Sequence, residues 1–278
     1  MISTNLDSAK YTPRTLEVKL PSRGVLYGPS FPSSVVVGAF GWSTHAHLNT
    51  NQEGGKKMLS IIDSGIIKNF PSEFNVKNML MADALLIFAV ARALTFSETY
   101  KFSTTCPACG FNMVGEIKVP DNLPVRVWEY NSAEEVEKAC NVTLTGCKDR
   151  IGYGFSTFAT DLGRNSLLVG LKAAIKDAPD SKQLKQFDDG GLIYMINSAT
   201  QIRSINGDKI DTMSLEGVIA VSKYLMALDG PDVELLKDAM SENEPGIRTQ
   251  VPMQCDDCSH VYQSALPLAS DFFRRNQV

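Results

Sequence analysis

Apolar and polar positions divide the chain into short alternating runs and longer helical stretches. Leu16-Glu17-Val18-Lys19-Leu20 alternates, which predicts a strand with Leu16, Val18 and Leu20 on one face. Pro21-Ser22-Arg23-Gly24 predicts a turn after it, because proline fixes φ and glycine accepts positive φ. Residues 35–40 predict a second strand, followed by a loop containing Gly, Asn and His through Gly55. Helical spacing then covers 56–68 and 76–94, with Met79, Leu86 and Val90 sharing a buried stripe. Residues 99–105 and 113–119 alternate as the two arms of a hairpin.

The second half is more broken. Residues 134–138 predict a short helix within a connector, 143–158 short strands and turns, and 166–175 a helix ended by Pro179. Residues 186–205 fit neither period cleanly, and Asn206-Gly207 predicts a tight hairpin. Helices are predicted over 214–228 and 232–240, the latter opened by Pro231-Asp232, with Glu244-Pro245-Gly246 as a stop. Extended runs over 247–253 and 261–268 complete the pattern. The displacement that carries Cys106 onto Cys255 also carries Asp83 onto Asp232, Leu86 onto Leu235 and Ile117 onto Leu266, as an internal duplication would.

Composition narrows the class. A chain of 278 residues, 44% hydrophobic and 21% charged, is long enough for two lobes with sizeable cores. Net charge −4 supplies no global positive field to gather phosphates, so nucleic-acid binding is not expected without a local basic patch. The start lacks the basic and apolar regions of a secretory signal, and the chain is expected to act in the cytoplasm where it is made. The most apolar stretch, 79–94, carries Asp83 and Arg92 and is shorter than the roughly 20 residues that span a bilayer, so no membrane contact is expected.

Candidate chemistry centres on cysteine. Cys106-Pro107-Ala108-Cys109 and Cys255-Asp256-Asp257-Cys258 are two hooks that together supply the four thiolates of a tetrahedral zinc site. Four protein ligands leave no open position for substrate, which makes the zinc structural and the protein a non-enzyme. A reducing compartment favours metal over three disulfides, and flanking strands rather than helix N-termini disfavour a redox pair. An iron-sulfur cluster is the minor alternative, and the hooks lie far further apart than in a compact ribbon. Cys140 and Cys147 are poorly spaced for a hook and read as buried packing residues. His45 and His47 read as loop or surface histidines, and His260 as a neighbour of the thiolates rather than a ligand. Gly152-Tyr153-Gly154 lacks the remainder of a phosphate loop, and no nucleophile elbow occurs.

Four segments in this order are distinctive: Leu20-Pro21-Ser22-Arg23-Gly24-Val25-Leu26-Tyr27, Cys106-Pro107-Ala108-Cys109-Gly110, Glu244-Pro245-Gly246-Ile247 and Asp271-Phe272-Phe273-Arg274. Together they resemble the baseplate hub and hub-assembly family of T-even-like contractile-tailed phages, from about Glu17 to Arg275. The second hook departs from the pattern at Asp256 and Ser259, which predicts a looser knuckle. The resemblance implies a non-enzymatic role in building a phage baseplate, in the virion tail or in the host cytoplasm during assembly. Its implied partners are other baseplate or tail proteins, with a homo-oligomer open. The rival reading is a zinc-ribbon nucleic-acid binder, against which Asp256 and Asp257 stand inside one hook.

The expected architecture is α+β, with two related, partly helical lobes bearing β-hairpins and joined by a four-cysteine zinc ribbon. Its divisions are an N-terminal arm at 1–34, a first lobe with the first hook at 35–120, a connector at 121–150, and a second lobe with the second hook at 151–278. The arm and the terminal Phe272-Phe273 are the expected contact elements.

Overall fold

A computed structural model describes residues 14–48, 54–177 and 187–267; the chain start, Pro179 and the terminal Phe272-Phe273 and Arg274 lie outside the described residues. Strands β1 (Thr15–Lys19) and β2 (Ser34–Gly38) pair antiparallel, with Leu16 opposite Val37 and Val18 opposite Val35. Helix α1 (Trp42–Leu48) occupies the expected loop. This helix of seven residues makes only about two turns, fewer than the roughly 11 residues over which an apolar period becomes legible. Helix α2 (Gly54–Ile61) runs into a widened turn through Ile66, and Ile67 then bridges back to Val37 of β2.

Helix α3 (Met81–Thr95) begins later than the period predicts, because Leu80 is extended and donates its N–H to the Tyr27 hydroxyl at 2.8 Å. Met79, Leu86 and Val90 are buried as the stripe requires, but Ala84, Ile87, Phe88, Ala89 and Ala91 are buried too. A helix apolar on all sides belongs in a core, and burying side chains such as Ile87 and Phe88 contributes about 1.5–3 kcal/mol each. After it come β3 (Thr99–Thr105), β4 (Asn112–Lys118), β5 (Val125–Arg126) and α4 (Ala133–Ala139), the last capped by Ser132.

The second lobe opens with β6 (Asn141–Thr143) and β7 (Arg150–Tyr153), then α5 (Phe158–Asp177). Helix α5 starts well before the predicted residue 166. Thr157 and Thr160 hydrogen-bond each other's backbone N–H at 3.3 and 2.7 Å, a reciprocal cap with no apolar signal. The ambiguous stretch resolves into α6 (Asp189–Ala199), capped by Asp188, and β8 (Ile202–Ile205). Asn206 and Gly207 take φ of 54° and 91° in the expected hairpin to β9 (Asp208–Lys209). Helices α7 (Leu215–Ala227) and α8 (Gly230–Asn243) lead to β10 (Gly246–Ile247), β11 (Gln250–Gln254) and β12 (Val261–Ala265).

The result is α+β, with four two-stranded sheets and one four-stranded sheet, ordered β6-β7-β8-β9, among the described residues. Two buried clusters form the lobes. The first gathers Val18, Leu20, Val35, Ile61 and the body of α3; the second gathers Ile151, Tyr153, Leu171, Ile196, Val218 and Leu236. Chain order and core membership part company at both ends. Val18 and Leu20 enter the first core, and so do Val251 and Leu266 from the last two strands.

That return is made possible at Gly246. Its φ is +117°, and a Cβ there would stand 2.9 Å from the Ala82 Cβ on α3. β10 also pairs with β5, so the end of the second lobe is delivered to the flank of the first. The Pro21-Ser22-Arg23 turn binds the lobes from the other side: the Pro21 carbonyl accepts from Trp128 N–H at 2.8 Å, and Arg23 Nη1 donates to the Glu129 and Tyr130 carbonyls.

Two buried carboxylates hold equivalent turns. Asp83, in the first turn of α3, accepts from Ser22 N at 2.9 Å, from Tyr27 OH at 2.5 Å and from Ser22 Oγ. Asp232, in the first turn of α8, accepts from Thr145 N at 2.7 Å, Gly146 N at 2.9 Å and Cys147 N at 3.2 Å. One turn follows β1 and the other follows β6, so the aspartates matched by the sequence displacement play the same part in each lobe. Both sit where the helix dipole favours negative charge.

Their environments differ in sign. Burial pushes the Asp83 carboxyl up, against the hydrogen bonds from Ser22 and Tyr27. The Gly146 amide chiefly, with those of Cys147 and Thr145, holds Asp232 below the usual carboxylate range against desolvation. A depressed carboxyl contributes stability above its unfolded pKa and loses it as pH falls through the folded value; a raised one does the reverse. Asp232→Asn should therefore lower the thermal midpoint by roughly 5–10 °C at neutral pH, with a deficit that shrinks on acidification. The deficit of Asp83→Asn should widen over the same range. Thermal melts of both variants against the parent from pH 7 towards the carboxylate range check this, and parallel curves would refute it.

Candidate metal centre

The site is built from two hairpins of the same design. β3 pairs with β4 from Thr99 opposite Lys118 to Thr105 opposite Asn112; β11 pairs with β12 from Gln250 opposite Ala265 to Gln254 opposite Val261. The displacement relating Cys106 to Cys255 carries the Lys101–Glu116 pair onto Gln250–Ala265, so register is retained as well as spacing. At the tips, Cys106 N–H donates to the Phe111 carbonyl and Gly110 N–H to the Cys106 carbonyl, both at 2.9 Å. Cys255 with His260, and Ser259 with Cys255, repeat those two bonds at the same length.

The knuckles thus share one backbone despite different sequences. Gly110 has φ +75° where glycine is unstrained, whereas Ser259 adopts +58° with a side chain. The departure expected to loosen the second knuckle leaves its hydrogen bonds intact and shows instead as local strain.

All four sulfurs of Cys106, Cys109, Cys255 and Cys258 lie within 4.8 Å of one another, and none is in a disulfide. Cys106 Sγ stands 3.7 Å from Cys258 Sγ, and Cys109 Sγ 3.6 Å from Cys255 Sγ. Each hook supplies one buried and one exposed cysteine, and the buried one of each faces the exposed one of the other. With zinc–sulfur bonds of about 2.3 Å, a tetrahedral ion sets its ligands about 3.8 Å apart, close to the Cys106–Cys258 and Cys109–Cys255 separations.

Protons compete for this cluster. Burial opposes ionisation of Cys106, yet amide N–H groups of Cys109 and Ala108 and the thiols of Cys109 and Cys255 bring it down to about 7. At Cys109 the Phe111 amide favours the thiolate, but burial and the three other sulfurs outweigh it and push the thiol up to about 12. Cys258 is also raised, despite favourable bonds from His260 and Cys109. One thiolate forms readily and further ones meet its charge, the electrostatic setting in which a divalent cation is favoured.

Side chains behind the tips join the hairpins. Thr104 Oγ1 lies 2.8 Å from Ser264 Oγ, Tyr262 OH donates to Met113 Sδ at 3.5 Å, and Tyr100 OH donates to the Pro267 carbonyl at 3.0 Å. The buried Arg92 guanidinium of α3 lies 4.9 Å over the Tyr100 ring, tying the hairpin base to the first core.

The other sequence candidates fall elsewhere. His260 stacks on Tyr262 at 6.2 Å outside the thiol group, while His45 and His47 lie on α1, two residues apart and so on different faces. Cys140 is buried among the second core, as expected. Cys147 is instead exposed, with its sulfur 3.7 Å from Tyr224 OH, because it occupies the turn held by Asp232. Sequence reasoning missed the role of Ser22, Thr145 and the two aspartates; the recurrence of Asp83 at Asp232 was the available signal.

Fold and site together define a two-lobed α+β protein whose distant hairpins converge in the arrangement of a zinc ribbon. The family described as T4 bacteriophage base plate protein matches residues 42–274, and the chain belongs to that family. It is accordingly a structural phage component of the tail baseplate, with other phage tail proteins as partners. No curated protein and no solved structure matches it. No helix among the described residues is long and apolar enough to cross a membrane.

Relieving the strained knuckle provides a test. Ser259→Gly should raise stability by up to about 1 kcal/mol, the left-handed penalty of serine less the added freedom of an unfolded glycine. Denaturant midpoints measure it, and a loss of stability would show that the Ser259 side chain contributes more than its backbone costs.

Proposed function

We propose that Cys106, Cys109, Cys255 and Cys258 hold one structural zinc, and that this ion braces a component of the baseplate hub or a factor that assembles it. The observation that carries the reading is the convergence of four free thiols within 4.8 Å of one another, between hairpins more than a hundred residues apart. Filled by four protein ligands, the ion has no position for substrate, and the role is non-catalytic. It acts by fixing topology: the end of the second lobe is clamped to the base of the first, and binding free energy on the order of 10 kcal/mol becomes folding stability. The two lobes, each with a helix-borne aspartate and a hook, are read as copies of one ancestral unit.

A nucleic-acid-binding ribbon draws no support from the site, since Asp256 and Asp257 occupy the second knuckle and both are exposed. Assembly is placed in the host cytoplasm, where thiols remain reduced.

Purified protein should contain one zinc per chain by elemental mass spectrometry, and stripping it with chelator should lower the thermal midpoint by about 20 °C or more. Cys109→Ser should lower the midpoint of both lobes together and abolish stoichiometric zinc. Superimposable melts of loaded and verified metal-free protein would refute the brace. Quantitative mass spectrometry of purified particles tests the hub role separately, with retention at a fixed copy number expected for a built-in component and absence for an assembly factor.

A further inference from the structure

The four-stranded sheet of the second lobe buries Ile151, Tyr153 and Ile202 in its core, so the residues that alternate with them belong to the other face. One row there crosses every strand: Asn141 lies opposite Gly152, Gly152 opposite Ser204 and Ser204 opposite Lys209. All four line an open trough of about 780 Å³ whose far wall is α4. A β-bulge sets its chemistry. Ser204 pairs with Gly152 but the next pair is Ile202 with Tyr153, which leaves Arg203 as the extra residue of β8, re-aimed by the bulge into the trough. Its guanidinium lies over Gly154, where a Cβ would stand 2.9 Å from Nε. Arg203 Nη1 donates to the Thr200 carbonyl at 2.6 Å and to Thr212 Oγ1 at 3.3 Å, neutral acceptors that fix the group without cancelling its charge.

Charge along the trough is unbalanced. Lys138, Arg150 and Lys209 line it with Arg203, against Glu134 and Glu137, and none of the four cations forms an ion pair among the described residues. The Glu134 carboxylate is held by its own N–H and by the Ser132 hydroxyl at the N-terminus of α4, which lower its pKa. Burial lowers the pKa of Arg203 from the usual arginine value, with no carboxylate to restore it. A local positive excess in a chain of net charge −4 selects an anionic occupant. Apolar surface adjoins the cations: Leu26, 40% exposed, and the half-buried Ile210 line the same trough. A phosphate backbone would set charge against Glu137 and leave these apolar groups uncovered, whereas carboxylates spaced by apolar side chains match both.

We propose that the trough between the β7–β9 face and α4 receives an acidic, partly apolar segment of a neighbouring tail protein, its carboxylates on Arg203, Arg150 and Lys209 and its apolar side chains on Leu26 and Ile210. Arg203, preset by the bulge, accepts a carboxylate without first losing side-chain freedom. The inference goes beyond the metal reading and does not depend on it, because none of these residues belongs to the cysteine hairpins.

Fluorescence anisotropy of a fluorescein-labelled hexapeptide alternating glutamate and leucine, titrated with the full chain, tests it. Peptides with glutamine or lysine in place of glutamate and a single-stranded DNA hexamer serve as comparators, and circular dichroism confirms that each variant is folded. The acidic peptide should bind at least about 10-fold tighter than its glutamine counterpart. Arg203→Gln should weaken it by about 10-fold or more. Arg150→Gln and Lys209→Gln, at exposed positions, should each weaken it by roughly 2- to 5-fold with the thermal midpoint unchanged. Gly154→Ala keeps every charge but pushes the guanidinium off its seat, so it should weaken binding by roughly 3- to 10-fold, which a diffuse positive surface would not show. Equal affinity for the glutamine peptide, tighter binding of the DNA hexamer, or no binding of the acidic peptide up to about 1 mM would overturn the proposal. So would an affinity unmoved by both Arg203→Gln and Gly154→Ala in folded protein.

Discussion

Four sulfurs within 4.8 Å of one another impose the constraint on which the architecture rests, because the chain must leave that point, build an entire second lobe and come back to it. The route is closed by small, specific contacts rather than by a large apolar interface. Gly246 passes against Ala82, β10 pairs with β5, and Val251 and Leu266 re-enter the first core. Without this return, the last two strands would form an isolated hairpin, which is marginal in water.

The second organising device is the carboxylate at the head of a core-facing helix. Asp83 and Asp232 each fold a turn of the preceding hairpin over a helix N-terminus, where the dipole and several N–H or O–H donors compensate an otherwise costly charge. Their surroundings have nonetheless diverged: hydroxyls dominate around Asp83, backbone amides around Asp232, and the two carboxyls are displaced in opposite directions. The two turns share a geometry while their electrostatics differ in sign.

For a baseplate component, this construction has a direct consequence. A part that must present fixed surfaces to several neighbours benefits from lobes that cannot rotate independently, and here they are tied at the Pro21–Arg23 turn and at the β5–β10 pair. Among the described residues, the most exposed large apolar side chains are Trp42 on α1, Val169 on α5 and Val261 on β12.

Residue chemistry alone determined the strands around both hooks, the Asn206-Gly207 turn and the family, because each is encoded within a few consecutive residues. Spacing also disclosed the recurrence of Asp83 at Asp232, although not that each grips a turn. Tertiary structure decided what depends on partners remote in sequence. Helix α5 starts at Phe158 through a threonine cap, α3 starts late because Tyr27 takes the Leu80 amide, and Cys147 is exposed because its turn is held from α8. It also decided that the second hook rests on the first core. No local period carries that information: it is set by where Gly246 allows two backbones to touch and by which apolar faces remain uncovered when they do.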